Sequence, residues 1–128
     1  MRLNRLRRVM VEGSPRYHYD VGAIAATAYT EIDIATYFPR AKKYEPLDTM
    51  VIINNDTVNI AVRLNGLNGD VYICTAGTIR TITREQTPAI WKMRITNLDA
   101  ANAVTVNLID IDIWRAPEDA DSIARLRL

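Results

Sequence analysis

Between Thr49 and Arg115, apolar and polar residues alternate in short runs separated by polar turns. Val58, Ile60, Val62 and Leu64 alternate with Asn59, Ala61, Arg63 and Asn65, and Trp91, Met93 and Ile95 alternate with Lys92, Arg94 and Thr96. A period of two sends neighbouring side chains to opposite faces, so each run is a strand with one dry and one wet face. Val71–Thr75, Thr78–Thr83 and a long run from Ala103 to Trp114 read the same way. With no helical pattern between them, the runs predict an all-β antiparallel sandwich or barrel.

Two departures from simple alternation carry information. Met50-Val51-Ile52-Ile53 is apolar throughout, so both faces of that strand are covered, or one meets another subunit. In the last run Val104, Val106 and Leu108 share one face while Ile109, Ile111 and Ile113 share the other. A one-residue slip exchanges the faces, which predicts a β-bulge or a second half buried against something new. Between strands, Asn54-Asn55-Asp56, Asn65 to Asp70 and Asn97 to Asn102 supply turn chemistry. Gly66, Gly69 and Gly77 are turn glycines, and Ala76-Gly77 predicts a tight hairpin.

Upstream, Ile32 and Ile34 alternate with Glu31 and Asp33, which predicts a strand over 31–38 ended by Pro39, with a charged loop from Arg40 to Pro46. Residues 1–20 contain Gly13-Ser14-Pro15 and too few apolar residues for a core, and they read as an extended arm. Leu3, Leu6, Val9 and Met10 follow helical spacing, enough for a short amphipathic helix on a partner but not for one alone in water. After Ala116, Pro117 with Glu118 and Asp119 opens, and Arg125 and Arg127 close, a segment whose charges match a helix dipole. The expected organisation is therefore an arm over 1–20, a sandwich over 21–116 and a short helix over 117–128. Ile123, Leu126 and Leu128 of that helix need cover from the sandwich or from a partner.

The chain has 128 residues, which suits one domain able to bury roughly two-thirds of its unfolded surface. Its lone cysteine, Cys74, lies in an apolar run and reads as a small buried hydrophobe. No run approaches the ~20 apolar residues of a membrane span, and no signal-peptide pattern follows the basic start, so a soluble product made in the cytoplasm is expected. Net charge is +1 but unevenly spread. Residues 1–16 carry five arginines against Glu12, for +4; residues 17–116 carry nine basic and eleven acidic groups, for −2; the tail adds −1. A basic arm before a weakly acidic body suits docking on an acidic protein surface, through Arg2, Arg5, Arg7 and Arg8. Nucleic acid is disfavoured because the body offers no continuous basic stripe.

Catalytic chemistry is sparse. His18 is the one histidine and falls in the arm, where a general base has no rigid neighbour. One histidine and one distant cysteine cannot make a tetrahedral zinc site. Glu31/Asp33 and Asp110/Asp112 are pairs two residues apart on strands, ~7 Å by strand rise. That spacing fits a glycosidase pair in distance only. A wet strand face pairing with arginines such as Arg94 is the plainer reading, and a calcium site is the lesser alternative. Five of the six tyrosines, Tyr17, Tyr19, Tyr29, Tyr37 and Tyr44, crowd between 17 and 44. They suit a subunit interface, where tyrosine is enriched, or stacking on sugars. No enzyme activity, cofactor, metal or small-molecule substrate is expected.

The order Val51-Ile52-Ile53-Asn54-Asn55, Val58 to Gly66, Ala76-Gly77-Thr78, then Ile95-Thr96-Asn97 before a long terminal strand resembles the small sandwich or jelly-roll domains of tailed-phage and related virions. Capsid decoration (cement) proteins and head-fibre or tail-adhesin subunits are the family meant. The likeness covers about half the chain and carries over no catalytic residue. It implies a homo-oligomer, often a trimer, attached to a larger shell protein and located in the virion. From the residues, Tyr17, Tyr19, Tyr37, Tyr44, Ile123 and Leu126 are the expected contacts between sister subunits. A carbohydrate- or receptor-binding β-sandwich module is the alternative.

Overall fold

The computed structural model describes residues 12–66, 69–87 and 89–117. Among these residues, eight strands form two antiparallel sheets: β1 (Tyr17–Asp20), β2 (Tyr29–Asp33), β3 (Thr49–Asn54), β4 (Ile60–Leu64), β5 (Val71–Cys74), β6 (Ile79–Ile82), β7 (Lys92–Asn97) and β8 (Ile109–Trp114). The first sheet has the order β1-β8-β3-β6 and the second β2-β7-β4-β5. The all-β antiparallel expectation holds, as two open sheets.

The pairings nest. β4 pairs with β5, β3 with β6, β2 with β7 and β1 with β8, as in one long hairpin. The hairpin is then wound so that β3 also meets β8 and β4 also meets β7. Only β4 and β5 are sequence neighbours within one sheet; every other connection crosses between sheets.

Alternation sets which side chains face inward. β4 buries Ile60, Val62 and Leu64, β7 buries Met93 and Ile95, and β8 buries Ile109, Ile111 and Ile113. These join Met50, Ile52 and Ile82 in a single hydrophobic cluster spanning both sheets. Each fully buried isoleucine or leucine contributes about 1.5–3 kcal/mol. On β3, Val51 and Ile53 face outward and are half-buried.

Four local expectations change. Tyr17–Asp20, read as the end of an arm, is instead edge strand β1, with Tyr19 buried and His18 and Asp20 outside. The strand expected over 31–38 stops at Asp33. Its carboxylate accepts the Thr36 amide at 3.3 Å, and the chain turns into the short helix α1 (Ile34–Tyr37). A 3-10 helix, Pro39–Tyr44, replaces the charged loop. The Ala76-Gly77 turn is tight, but it is an arch between sheets, because β5 and β6 take their partners from different layers.

The phase slip in the final run has a simple cause. Val104 makes an isolated bridge with Ile24, and a turn at Val106–Asn107 then separates it from β8. Asn107 has φ 67, a left-handed conformation that asparagine tolerates. The one run is thus two pieces with independent phase, and no bulge is needed.

The described ends meet at one place. The Ser14 amide donates to the Arg115 carbonyl at 2.9 Å, and the Arg115 amide donates to Ser14 Oγ at 2.7 Å. Gly13, at φ +73, lies so near that a Cβ there would sit 2.5 Å from the Arg115 oxygen. Asp48 holds the exit: it accepts the Ala116 amide at 2.9 Å and pairs with Arg84 at 3.2 Å. Residues 1–11 of the arm expected over 1–20, and residues 118–128 of the helix expected over 117–128, lie outside the described residues.

Candidate functional site

The outward face of the first sheet gathers the only histidine with three aspartates. β1 and β8 pair with His18 opposite Asp112 and Asp20 opposite Asp110. Residues directly opposite on neighbouring strands hold their side chains within reach of one another. His18 Nδ1 lies 2.6 Å from Asp112 Oδ1, and Nε2 lies 2.7 Å from Asp20 Oδ1 and 3.5 Å from Asp110 Oδ1.

Both ring nitrogens therefore face carboxylate oxygens at hydrogen-bonding distance. A neutral imidazole has one N–H and one lone pair, and a lone pair aimed at a carboxylate repels it. Only the imidazolium, with two donors, satisfies both contacts. Its hydrogen bonds to Asp112 and then Asp20 accordingly hold the His18 pKa above its ordinary value of 6.5. The same bond from His18 holds Asp20 below the usual carboxylate range, whereas Asp110 is raised, chiefly by partial burial and then by its neighbour Asp20.

His18, Asp20 and Asp110 also offer ligand atoms within 4.8 Å of one another, a spacing a divalent cation could use. A protonated imidazole supplies positive charge at the same place, through both of its N–H groups. Beside the cluster, the Arg16 guanidinium stacks 4.1 Å over the Trp114 ring. Val51, Ile53 and Ile79 continue the same face as an apolar strip, and Ile79 is 67% exposed.

On the second sheet, Glu31 takes two hydrogen bonds from Arg94, at 2.8 and 3.0 Å, as the reading of a wet strand face required. Arg94 also stacks 4.2 Å over Tyr29. A cleft of about 230 Å³ opens beside this pair, lined by Glu31, Ile32, Asp33, Thr36 and Tyr37. Tyr37 is 54% exposed there.

The residues expected to bind partners separate. Tyr17 is half-buried, packs 5.6 Å from Phe38 and donates its hydroxyl to the Arg40 carbonyl at 3.3 Å. Tyr19 is not available as a surface contact: at 7% exposure it is spent on the chain's own core, edge-on to Tyr37 at 5.1 Å. Burial is the main reason that both Tyr17 and Tyr19 titrate above the ordinary tyrosine value. Tyr44 is half-buried with Lys43 over its ring at 5.3 Å. Arg2, Arg5, Arg7, Arg8, Ile123 and Leu126 lie outside the described residues. Cys74 is buried, as expected of a small core residue.

Sequence reasoning missed the His18 cluster because it placed His18 in an arm. The signal was present: Tyr17-His18-Tyr19-Asp20 alternates aromatic and polar, a period of two. Among the described residues no helix is long and apolar enough to cross a membrane. Comparison of the sequence with protein-family models and with curated proteins gives no match.

Proposed function

We propose that this chain is a non-enzymatic structural subunit of a viral, phage-like particle, a β-sandwich of the jelly-roll type that self-assembles, as a trimer, on a capsid or tail shell. The observation that supports it most is the nested pairing: eight strands paired as in a single hairpin and wound into β1-β8-β3-β6 and β2-β7-β4-β5, an order that fits a jelly roll. Such domains work by presenting faces and edges to neighbours. The outward strip of Val51, Ile53 and Ile79 gives this chain apolar surface that a sister subunit would cover. The basic residues Arg2, Arg5, Arg7 and Arg8 suit an acidic shell, and the virion is the location this role implies.

Light scattering at micromolar concentration tests the reading. An oligomer is expected, and Ile79→Asp should weaken its association tenfold or more while leaving the β-sheet circular dichroism unchanged, since it places a charge in the apolar strip. A wild-type chain that stays monomeric overturns the proposal. Rising salt should release the chain from its shell, and indifference to salt would remove the arginine contacts from the account.

The cleft beside Tyr37 favours a second reading, a carbohydrate-binding module. An exposed ring next to carboxylate acceptors can stack on a sugar and orient its hydroxyls. On a glycan array, Tyr37→Ala should then lose at least ~90% of the wild-type signal, the scale of one hot-spot contact. A wild-type chain that binds no glycan ends this alternative.

A further inference from the structure

We propose that His18, Asp20, Asp110 and Asp112 form a pH-operated latch on edge strand β1, closed while the imidazole is protonated and released as the pH rises past neutrality. β1 is only four residues long and, among the described residues, pairs with β8 alone, so its other edge makes no ladder with them. Edge strands of this length contribute little cooperative stability and open first. Apart from the Arg16–Trp114 stack and the Asp20–Asp110 contact, the outward side-chain contacts that tie β1 to β8 run through one titratable ring.

The surrounding charge makes the ring decisive. On its own strand His18 faces Asp20, with Arg16 drawn away over Trp114. From β8 it faces Asp112 and Asp110. β3, behind β8, offers Thr49, Val51 and Ile53 on this face and adds no charge. Beyond the free edge, the 3-10 helix brings Arg40 to the hydroxyl of Tyr17, on the opposite side of the strand. Tyr17 and Tyr19 stay neutral through the relevant range, because burial raises both. Loss of the imidazolium proton therefore leaves three carboxylates around a neutral ring whose lone pair must face one of them.

The direction of the pH effect follows from linkage. His18 binds its proton more tightly in the folded strand than in an unfolded chain, so its contribution is complete below its ordinary value of 6.5 and is lost as pH rises through the raised value. Asp20, held low, acts on the other side, and its contribution fades as pH falls through the depressed value. Asp110, held high, favours its proton and adds to repulsion once ionised. The latch is tightest in mildly acid solution, between the carboxylate range and 6.5. Its release frees the β8 edge for pairing with another strand.

Because His18 is the sole histidine, its imidazole resonances in the full chain can be followed directly by NMR between pH 5.5 and 9, with a chelator present. In parallel, hydrogen-exchange protection is measured for the β1 amides bonded to β8 and for the β3·β8 amides. The expected result is a midpoint above 6.5. β1 protection should fall tenfold for each unit by which that midpoint exceeds that of an unstructured peptide, with β3·β8 protection unchanged. His18→Lys keeps a cation throughout the window and should hold β1 protection level. Asp112→Asn should lower the His18 midpoint and shrink the fall. A His18 midpoint at or below 6.5, level β1 protection in the wild type, or a fall that persists in both variants would overturn the proposal.

Discussion

Replacing Asn97 by leucine is expected to destabilise the chain by about 3–5 kcal/mol, although leucine matches its size and the site is fully buried. Asn97 ends β7, and its side chain serves as a bracket for two loops. Nδ2 donates to the carbonyls of Ile24 at 3.1 Å and Asn102 at 2.8 Å, while Oδ1 accepts the Asp99 amide at 2.9 Å. Leucine would strand the Asn102 carbonyl and the Asp99 amide, at ~1–3 kcal/mol for each that cannot reach water, and would leave the Ile24 carbonyl with the Val104 amide alone. The Asp99 carboxylate stands one step further out, held below its usual range by the amides of Ala101 and Asn102. A fall in the urea midpoint with an unchanged slope is the expected record. A loss below ~1 kcal/mol would mean that water takes over these groups and that the loops are not pinned.

Asn54 does the same work at the end of β3. It donates to Val58 and Cys74 carbonyls at 2.9 and 3.1 Å and accepts the Asp56 amide at 3.0 Å. These two residues show where pattern reading stops. Their sequences, Asn54-Asn55-Asp56 and Asn97 to Asn102, announce turns, and turns are there. Left-handed backbone falls elsewhere, at Thr27, Asn65 and Asn107. Asparagine's turn preference has two physical sources, a tolerated conformation and a side chain that imitates backbone, and a sequence does not say which one operates.

Faces were legible where alternation ran unbroken, as in β4, because period two is a property of a single strand. Pairings were not. Ala76-Gly77 satisfies a hairpin and an arch equally well, since both need a short polar turn with a glycine, and the choice depends on where β3 and β4 already lie. The strand expected through Phe38 failed for a local reason: Asp33 is an N-cap residue, and its capping bond outcompetes continued extension. In the candidate site, Glu31 with Arg94 could be foreseen as opposite charges on wet faces. The ring of carboxylates around His18 could not, because it requires the first strand to lie beside the last, a contact across 94 residues.

That long-range contact also explains how the core and the outward cluster depend on each other. β8 is an interior strand, flanked by β1 and β3, and it alternates Ile109, Ile111 and Ile113 inward with Asp110, Asp112 and Trp114 outward. The isoleucines fix the height and twist of the strand, so the carboxylates meet His18 at bonding distance only while the packing beneath them is intact.

Ile111→Ala is accordingly expected to cost about 2–5 kcal/mol, among the largest effects available in this chain. Ile111 is fully buried at the middle of β8, opposite Tyr19 on one side and Ile52 on the other. Removing most of its side chain opens a cavity that two flanking strands can fill only by shifting, and the spread in the figure reflects how far they can. Urea unfolding reads the loss, and the His18 titration reads its reach. If β8 relaxes inward, Asp110 and Asp112 move with it and the His18 midpoint drops toward 6.5, its ordinary value. A stability loss of several kcal/mol with the midpoint unmoved would show that β1 and β8 travel together as a pair. A loss under ~1 kcal/mol would contradict the placement of Ile111 at the centre of the packed layer.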